Sequence, residues 1–244
     1  MTASPTLITS VRRALSLLDS VGESTTPRPA KVLAHRAGLP LPTSYHLLRT
    51  LVHEGYLRRV DGGYVLGDRV AALSARTTAA RADRIHPILQ GVRDELRAAA
   101  YYSVLRDGEI ELVDIADGPE APRADLWVGF HEAAHATALG KAVLSAIGEE
   151  ERRAYLADHE LADLTPRTVT DRRLLLHLLT TSHEYTVDRE EYALGTACVA
   201  TVVPSTVVVA AVAVSVPARQ VQRVVAQGDV LRRAARLIAY AVAG

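Results

Sequence analysis

The sequence is poor in several features, and each scarcity excludes a class of protein. It has one cysteine, Cys198, so no disulfide forms within the chain and a reducing compartment suits it. The first ten residues have neither the basic start nor the apolar run of a secretion signal. The most apolar stretch, Ala197–Val216, is interrupted by Pro204 and is rich in valine, which indicates paired strands rather than a membrane helix. We therefore expect a cytoplasmic protein that does not cross a membrane.

The formal net charge of the chain is zero, but its charged residues are unevenly distributed. Residues 1–75 carry nine Lys and Arg against five Asp and Glu, so 9 − 5 = +4, and residues 76–244 carry 19 − 23 = −4. A basic N-terminal part ahead of an acidic remainder suggests that the first part meets a polyanion and the second has another task. A length of 244 residues suits two domains of unequal size.

The N-terminal pattern predicts three helices followed by a hairpin. Helical spacing of apolar residues covers 9–21, 30–37 and 42–54, and Gly38 separates the second helix from the third. Two strand-like runs then flank Asp61-Gly62-Gly63, which is typical of a hairpin. This order is that of a winged helix-turn-helix, whose third helix enters a DNA major groove.

Beyond residue 68 the pattern predicts connecting helices and then an α+β domain. Pro87 and Gly91 favour two helices in 68–99 rather than one, the first of them joining the domains, with Val70 and Leu73 available to a second chain. Strands are predicted at 101–106, 109–117 and 124–130, helices at 135–147, 149–159 and 171–183, two further strands in 196–216, and one last helix at 218–243. Strands, helices, strands and a helix in this order indicate an antiparallel sheet covered by helices.

Three ordered motifs carry a resemblance to a known family. "GLPLPTSYHLLRTLVHEGY" with "YVLG", "HATALGKAVLSAI" and "TVDREEYALGTACVATVV" are similar to segments of the IclR family of bacterial transcriptional regulators, over about 9–240. The resemblance implies a winged helix-turn-helix DNA-binding domain (7–68), a connecting helix (69–82) and a GAF-like effector-binding domain with an antiparallel sheet (83–244). It also implies a homodimer or a dimer of dimers, no cofactor and no metal.

The resemblance and the residue chemistry together name two sets of site residues. We expect phosphate contacts from basic side chains, base-edge contacts from the middle of the third helix, and backbone contacts near its start. The residues are, in that order, Arg28, Lys31, Arg58 and Arg59; Tyr45, His46 and Arg49; and Thr43 and Ser44. The family's effector pocket lies between the sheet and the "ALGK" loop, which implies Ala138, Leu139, Gly140, Asp188, Cys198 and Ser215 as contacts to a small organic molecule, such as a carboxylate or aromatic metabolite.

The chain departs from the family pattern at a few of these places. Leu41 and His46 stand where recognition helices of the family usually carry Arg or Lys, which weakens the expected DNA contacts. Ala133-Ala134 replaces the family's Pro-Leu, and Ala213 occupies a strand position that is often Ser. These changes are expected to reshape the effector pocket.

Two other functions compete with a ligand-responsive regulator. "HEAAH", His131-Glu132-Ala133-Ala134-His135, matches the H-E-x-x-H pattern of zinc hydrolases, in which two histidines one helical turn apart hold the metal and the glutamate acts as general base. No third ligand follows at a usual spacing, and the segment sits at a strand-to-helix junction. The second alternative is a GAF-like sensor whose N-terminal unit binds protein instead of DNA. The prediction is a DNA-binding regulator, a repressor, that is not an enzyme.

Overall fold

The computed structural model describes residues 7–124, 132–181 and 184–243, with 75–80 as backbone only. They form two compact units that divide between residues 79 and 80. The α+β fold, with a helical N-terminal unit and an antiparallel sheet in the second unit, is confirmed. The finer domain boundaries given by the resemblance stay predictions.

Helices surround a leucine core in the N-terminal unit. Leu17, Leu33, Leu48 and Leu57 are buried together at its centre. Gly38, at φ +63°, makes the left-handed turn between the second and third helices. The elements are α1 (Thr9–Gly22), α2 (Ala30–Arg36), α3 (Leu41–His53), β1 (Leu57–Val60) and β2 (Gly63–Leu66).

The hairpin β1–β2 is hydrogen-bonded to the segment that precedes α2. The N–H of Arg28 donates to the carbonyl of Tyr64 at 3.2 Å, and the N–H of Tyr64 donates to the carbonyl of Arg28 at 3.0 Å. Gly63 makes this approach possible, because a Cβ there would overlap the carbonyl of Arg28. The hairpin is therefore attached to the three-helix unit at a fixed place.

The prediction of two helices over 68–99 is wrong, because α4 (Asp68–Leu96) is continuous through Pro87 and Gly91. A proline removes one helical hydrogen bond and a glycine disfavours a helix by about 1 kcal/mol, so both can be overridden by packing. Ile85, Leu89 and Leu96 lie on one face of α4 and are buried in the core of the second unit. That contact holds the helix through both residues.

A five-stranded antiparallel sheet forms the centre of the second unit. Its strands are β3 (Ala99–Arg106), β4 (Glu109–Ala116), β5 (Thr186–Arg189), β6 (Thr196–Val202) and β7 (Ala210–Pro217), in the spatial order β4-β3-β7-β6-β5. Alternation along β3 sends Ala100 and Tyr102 to one face and Ala99 and Tyr101 to the other. The sheet therefore has a buried core on each side.

Different helices cover the two faces of the sheet. The first face carries the end of α4 with α8 (Val221–Ala226) and α9 (Asp229–Ala243), and the second carries α5 (Ala138–Ala146), α6 (Glu149–Asp158) and α7 (Arg172–Thr180). None of the described helices has the length and apolarity to cross a membrane. The face that carries α5 holds most of the predicted effector residues.

Two further sequence-based elements differ from the structure, and two others are only partly described. The helix predicted from 135 begins instead as a 3₁₀ turn, Ala134–Ala136, and α5 starts at Ala138. The single last helix is wrong, because it is split into α8 and α9 around Gly228, where any side chain would overlap the ring of Tyr185. Most of the strand predicted at 124–130 lies outside the described residues, as does the end of the helix predicted to 183.

Candidate functional sites

The outer face of α3 is polar and accessible. Leu48 and Leu51 are buried under the helix, while the opposite side chains are in solvent. The exposed residues on α3 include Tyr45, His46, Arg49, Thr50 and His53. Helix α3 therefore offers hydrogen-bonding side chains outward at a width that a DNA major groove accepts.

Two of the predicted base-reading residues are joined to each other. The guanidinium Nη2 of Arg49 lies 2.9 Å from Nδ1 of His46, one turn earlier on the exposed face. Because arginine has only donors, Nδ1 accepts this bond, so the ring proton is on Nε2. The two side chains are thus oriented relative to each other in the free protein.

Basic side chains of the hairpin and of the segment before it flank α3. Arg58, Arg59 and Lys31 are exposed, and Arg28 is half-buried with its Nε donating to Ser24 Oγ at 2.7 Å. Arg58 Nε lies 3.8 Å from a carboxylate oxygen of Asp68, a largely exposed ion pair that contributes little. These cations remain available to phosphates.

Ser44 does not fit its predicted role as a backbone contact to DNA. It is fully buried, and its hydroxyl donates to the carbonyl of Pro40 at 3.1 Å. Thr43, which is half-buried, retains access to solvent. Tyr64, on the hairpin, also packs in the leucine core.

A small cavity lies between the sheet and the start of α5, and we call it the inner cavity. Its volume is about 30 Å³. Three residues that the resemblance implicates, Leu139, Asp188 and Cys198, line it. The other described lining residues are Tyr101, Leu112, Ala124, Thr137, Tyr192, Ala193, Thr196 and Ala213.

Asp188 is the acidic group of the inner cavity. It is 1% exposed, and one carboxylate oxygen accepts the N–H of Glu191 at 2.7 Å. Burial raises the pKa of Asp188 to about 7, against the opposing effects of that hydrogen bond and of the Lys141 charge. Near neutral pH the cavity therefore holds a carboxyl group close to the midpoint of its titration.

A buried ion pair stands behind Asp188. Lys141 Nζ lies 2.6 Å from Glu191 Oε1 and also donates to the carbonyl of Val187 at 3.1 Å. The side chains of Lys141 and Glu191 are 7% and 13% exposed, so water screens them little. The pair fixes α5 to the end of β5, next to the cavity.

Cys198 and Ser215 continue the row that begins at Asp188. Asp188 pairs with Cys198 across β5 and β6, and Cys198 pairs with Ser215 across β6 and β7. Burial, and then the charge of Asp188, raises the pKa of the Cys198 thiol. A thiol held neutral in this way packs and hydrogen-bonds but is a poor nucleophile.

Ser215 lies outside the lining of the inner cavity, contrary to a direct effector contact there. Its hydroxyl is 2.8 Å from the hydroxyl of Tyr101, which also accepts the N–H of Ala124 at 2.8 Å. Burial raises the pKa of Tyr101 to about 12, so the phenol stays neutral. Tyr101 therefore stands between Ser215 and the cavity.

Ala138 and Gly140 shape the start of α5 rather than lining the cavity. The N–H of Gly140 already donates to the capping hydroxyl of Thr137 at 3.0 Å, so it is not free for a carboxylate. A Cβ at Gly140 would overlap the carbonyl of Ala134. Ala138 is fully buried in the adjoining core.

Family models match nearly the whole chain. Residues 74–240 match "Bacterial transcriptional regulator IclR C-terminal", and residues 10–61 match "IclR helix-turn-helix domain". The chain belongs to the IclR family. The resemblance seen in the three sequence motifs is thereby confirmed.

Relatives of this IclR-family chain agree with that assignment. It is 29% identical to the transcriptional repressor IclR of Escherichia coli over 201 residues, covering 79% of this chain and 73% of the relative. The fold is similar to the crystal structure of Thermotoga maritima IclR, with a TM-score of 0.62, 23% identity and coverage of 96% and 99% of the two chains. It is also similar to an IclR homolog from Microbacterium hydrocarbonoxydans complexed with 4-hydroxybenzoate, with a TM-score of 0.60, 25% identity and the same coverage.

The zinc-hydrolase alternative is wrong for this IclR-family chain, which is a regulator and not an enzyme. His135 lies in the 3₁₀ turn, 3% exposed, with Nε2 3.0 Å from the carbonyl of Ala162. Burial lowers the pKa of His135. Its ring links the start of α5 to the loop after α6, and His131 lies outside the described residues.

Sequence reasoning missed several residues of the inner cavity. Tyr101, Thr137 and Tyr192 line it and were not among the expected contacts. Strand alternation in "YYSVLR" gave one signal, since of two adjacent tyrosines only one can face α5. A second signal was available for Thr137, because a threonine just before "ALGK" is a typical helix N-cap.

Proposed function

We propose that this IclR-family regulator is a repressor that binds an operator as a dimer and whose operator binding is modulated by a small organic effector at a site that includes the inner cavity. The observation that carries the proposal is the exposed face of α3, where Arg49 and His46 are joined and point away from the buried leucines. The N-terminal excess of four positive charges supports attraction to DNA. A protein that acts at operators works in the cytoplasm, at the nucleoid.

From residue type and exposure we assign a role to each group of residues. Tyr45, His46 and Arg49 read base edges, and Thr43 touches the backbone near the helix start. Arg28, Lys31, Arg58 and Arg59 neutralise phosphates. We leave Ser44 out because its hydroxyl is committed inside the fold.

A second copy of the chain is needed to read a palindromic operator. Helix-turn-helix dimers place their recognition helices in successive major grooves, about 34–36 Å apart. Ile8, Val11 and Leu15 form an exposed apolar stripe along α1, each more than half accessible. We propose that this stripe packs against its equivalent in the dimer.

The inner cavity supports modulation by a ligand. Its lining is mostly apolar with a few polar groups, Asp188, Tyr101 and Thr137 among them, which is the usual composition of a small-molecule site. The Microbacterium homolog holds 4-hydroxybenzoate, so small aromatic and carboxylate metabolites are the first ligands to test. A coupling free energy of about 1–3 kcal/mol between the two sites is expected.

The deciding experiment recovers DNA from the genome with the purified full-length chain. Sheared genomic fragments bound by the protein are sequenced, and the enriched sequence is retested by mobility shift at several salt concentrations. A palindromic fragment bound with a steep salt dependence supports the proposal. No enrichment, or a flat salt dependence, would instead favour an N-terminal unit that binds protein.

A further inference from the structure

The outward face of α3 is short of groups that accept hydrogen bonds. Over its whole length, Leu41–His53, the helix contains no Asp, Glu, Asn or Gln. Carboxylates usually accept the amino group of cytosine, and side-chain amides usually pair with adenine in the major groove. Neither of these two pairings is therefore open to the side chains of α3.

His46 and Arg49 present hydrogen-bond donors near the middle of this face. Arg49 has donors only, and Nδ1 of His46 is occupied as the acceptor of the bond from Arg49 Nη2, 2.9 Å away. The other ring nitrogen of His46, Nε2, therefore carries a hydrogen and donates. Together the two side chains offer donors to a base edge and no acceptor.

The bond to His46 leaves Arg49 able to bind guanine. A guanidinium has two donor forks, Nε with Nη2 and Nη1 with Nη2, and each hydrogen on Nη2 belongs to one of them. The bond to His46 uses one Nη2 hydrogen, so the other fork stays complete. That fork matches O6 and N7 of guanine, the two acceptors that this base presents in the major groove.

The neighbouring hydroxyl groups carry less sequence information. The hydroxyl of Thr50 donates to the carbonyl of His46 at 3.0 Å, so its hydrogen is used within the helix. Tyr45 is 52% exposed, and its hydroxyl can either donate or accept, which fits any base pair. Discrimination between bases on this face therefore depends on His46 and Arg49.

The spacing of His46 and Arg49 suits adjacent base pairs. Three residues along a helix advance about 4.5 Å, and successive base pairs of a duplex are about 3.4 Å apart. Both side chains are exposed on the same face, while the opposite side of the helix is packed in the core through Leu48. Both can therefore meet neighbouring bases at once in a groove that α3 enters lengthwise.

We propose that His46 is a specificity-determining residue of the operator contact, and that with Arg49 it selects half-sites in which a guanine is adjacent to a second guanine or a thymine on the same strand. Cytosine at the His46 position is rejected, because its amino group would face the N–H of Nε2. Adenine is bound less well than guanine, since it offers one acceptor, N7, beside a donor. This inference rests on the proposed function and specifies the operator that the same face reads.

The test selects DNA from a random pool, so that the operator need not be known beforehand. The full-length wild type, His46→Ala and His53→Ala are each used to enrich a library of random duplexes, and the selected half-sites are sequenced. The wild type should select guanine next to guanine or thymine. His46→Ala should keep the guanine that Arg49 reads and lose the preference at the adjacent position.

A binding measurement on the selected duplex checks the same position. The base pair assigned to His46 is exchanged so that cytosine stands on the contacted strand, and mobility shifts compare the two duplexes. The exchange should weaken binding of the wild type at least about fivefold, and binding of His46→Ala less than about twofold. A ratio of affinities within one protein variant does not depend on how much of that variant is folded.

His53→Ala is the matched control. His53 is also an exposed histidine of α3, but its Nδ1 lies 3.3 Å from a carboxylate oxygen of Glu54 and it is the last residue of the helix. Helix-turn-helix proteins contact base edges with the N-terminal residues of the recognition helix. His53→Ala should therefore select the same half-site as the wild type.

Other results overturn the inference and remain distinct from a failure of the proposed function. If His46→Ala selects the same half-site as the wild type, or if the wild type selects adenine or cytosine beside the guanine, His46 does not read a base as a donor. An enriched palindrome would still support operator binding in those cases. If the wild type enriches no sequence, operator binding itself fails, and the inference fails with it.

Discussion

Arg49 and His46 form a hydrogen-bonded pair on the open face of α3, with Nη2 and Nδ1 2.9 Å apart. The guanidinium group of Arg49 projects from a helix whose opposite side is packed in the core through Leu48 and Leu51. A long flexible side chain normally gives up rotamer freedom when it binds a base. Part of that entropy has already been given up in the free protein.

Arg49→Ala should weaken operator binding by about 1–3 kcal/mol and relax specificity at one base pair. Binding to random DNA should change much less, because we propose that this arginine reads a base edge rather than a phosphate. Mobility shifts on the operator, its single-base variants and random DNA measure this. Arg236→Ala, an exposed arginine of α9, is the control and should bind as the wild type does.

The hairpin arginines should behave differently. The double substitution Arg58→Ala, Arg59→Ala should lower affinity for operator and random DNA alike. The slope of log affinity against log salt should become shallower by about 1.8, which is about 0.9 for each phosphate that is no longer neutralised. An unchanged slope would show that neither arginine meets a phosphate.

Asp188→Asn should remove a pH dependence of stability. Because the folded pKa, about 7, lies above the unfolded value of 3.8, the folded state keeps a proton that the unfolded state loses. The free energy of unfolding therefore falls as pH rises from about 4 to 7, by at most about 1.4 kcal/mol per pH unit. Urea unfolding at several pH values should show this fall in the wild type, and the fall should be absent from the variant.

His135 changes the free energy of unfolding with pH in the opposite direction to Asp188, so the two contributions can be told apart. Its pKa is lowered in the fold, so its contribution is lost as pH decreases below its ordinary value of 6.5. Asp188→Asn should not change the loss of stability that His135 causes below pH 6.5. A variant profile unchanged between pH 4 and 7 would contradict a protonated Asp188.

Gly140→Ala should destabilise the second unit by about 1–3 kcal/mol or more. A methyl group there overlaps the carbonyl group and the Cα of Ala134, which are backbone atoms and cannot turn aside as the end of a flexible side chain can. Gly148→Ala is the control, since a Cβ at Gly148 meets nothing within 4 Å. Chemical unfolding of the two variants should differ accordingly, and equal stability would mean that the turn before α5 can move.

Cys198 should react slowly with an aromatic disulfide reagent in the native protein. It is the single thiol of the chain, so unfolding in denaturant should release one equivalent quickly. The raised pKa of the thiol and its place beside the buried Asp188 both oppose thiolate formation. Fast native reaction would indicate that the inner cavity opens to water.

Periodicity is enough to predict most of the architecture, and it holds further information on which side chains are available. The spacing that places Leu48 and Leu51 on the inner face of α3 places Ser44 there too, yet residue type suggests that Ser44 contacts DNA. The alternation of β3 likewise points to Tyr101. In both cases the pattern gives the face correctly, but residue type suggests for Ser44 a role that its face does not allow, and Tyr101 was not among the expected contacts.

Other features are beyond a single sequence because they depend on long-range contacts. Pro87 is expected to end a helix, but burial of Ile85 and Leu89 on the sheet maintains it. Gly228 lies between α8 and α9, and Tyr185, from a distant part of the sequence, occupies the place that a side chain at 228 would take. The hydrogen bond between Tyr101 and Ser215 likewise joins two strands that are far apart in the sequence.

The two hydrogen bonds between Arg28 and Tyr64 limit how the loop before α2 can vary in length. Extra residues inserted ahead of Ser24 would bulge into solvent and would not change the angle between the hairpin and α3. One residue inserted between Arg28 and Ala30 would shift the position of the hairpin relative to α3. Natural variation in the size of this loop is therefore expected on the upstream side only, and engineered tags or linkers would be tolerated there.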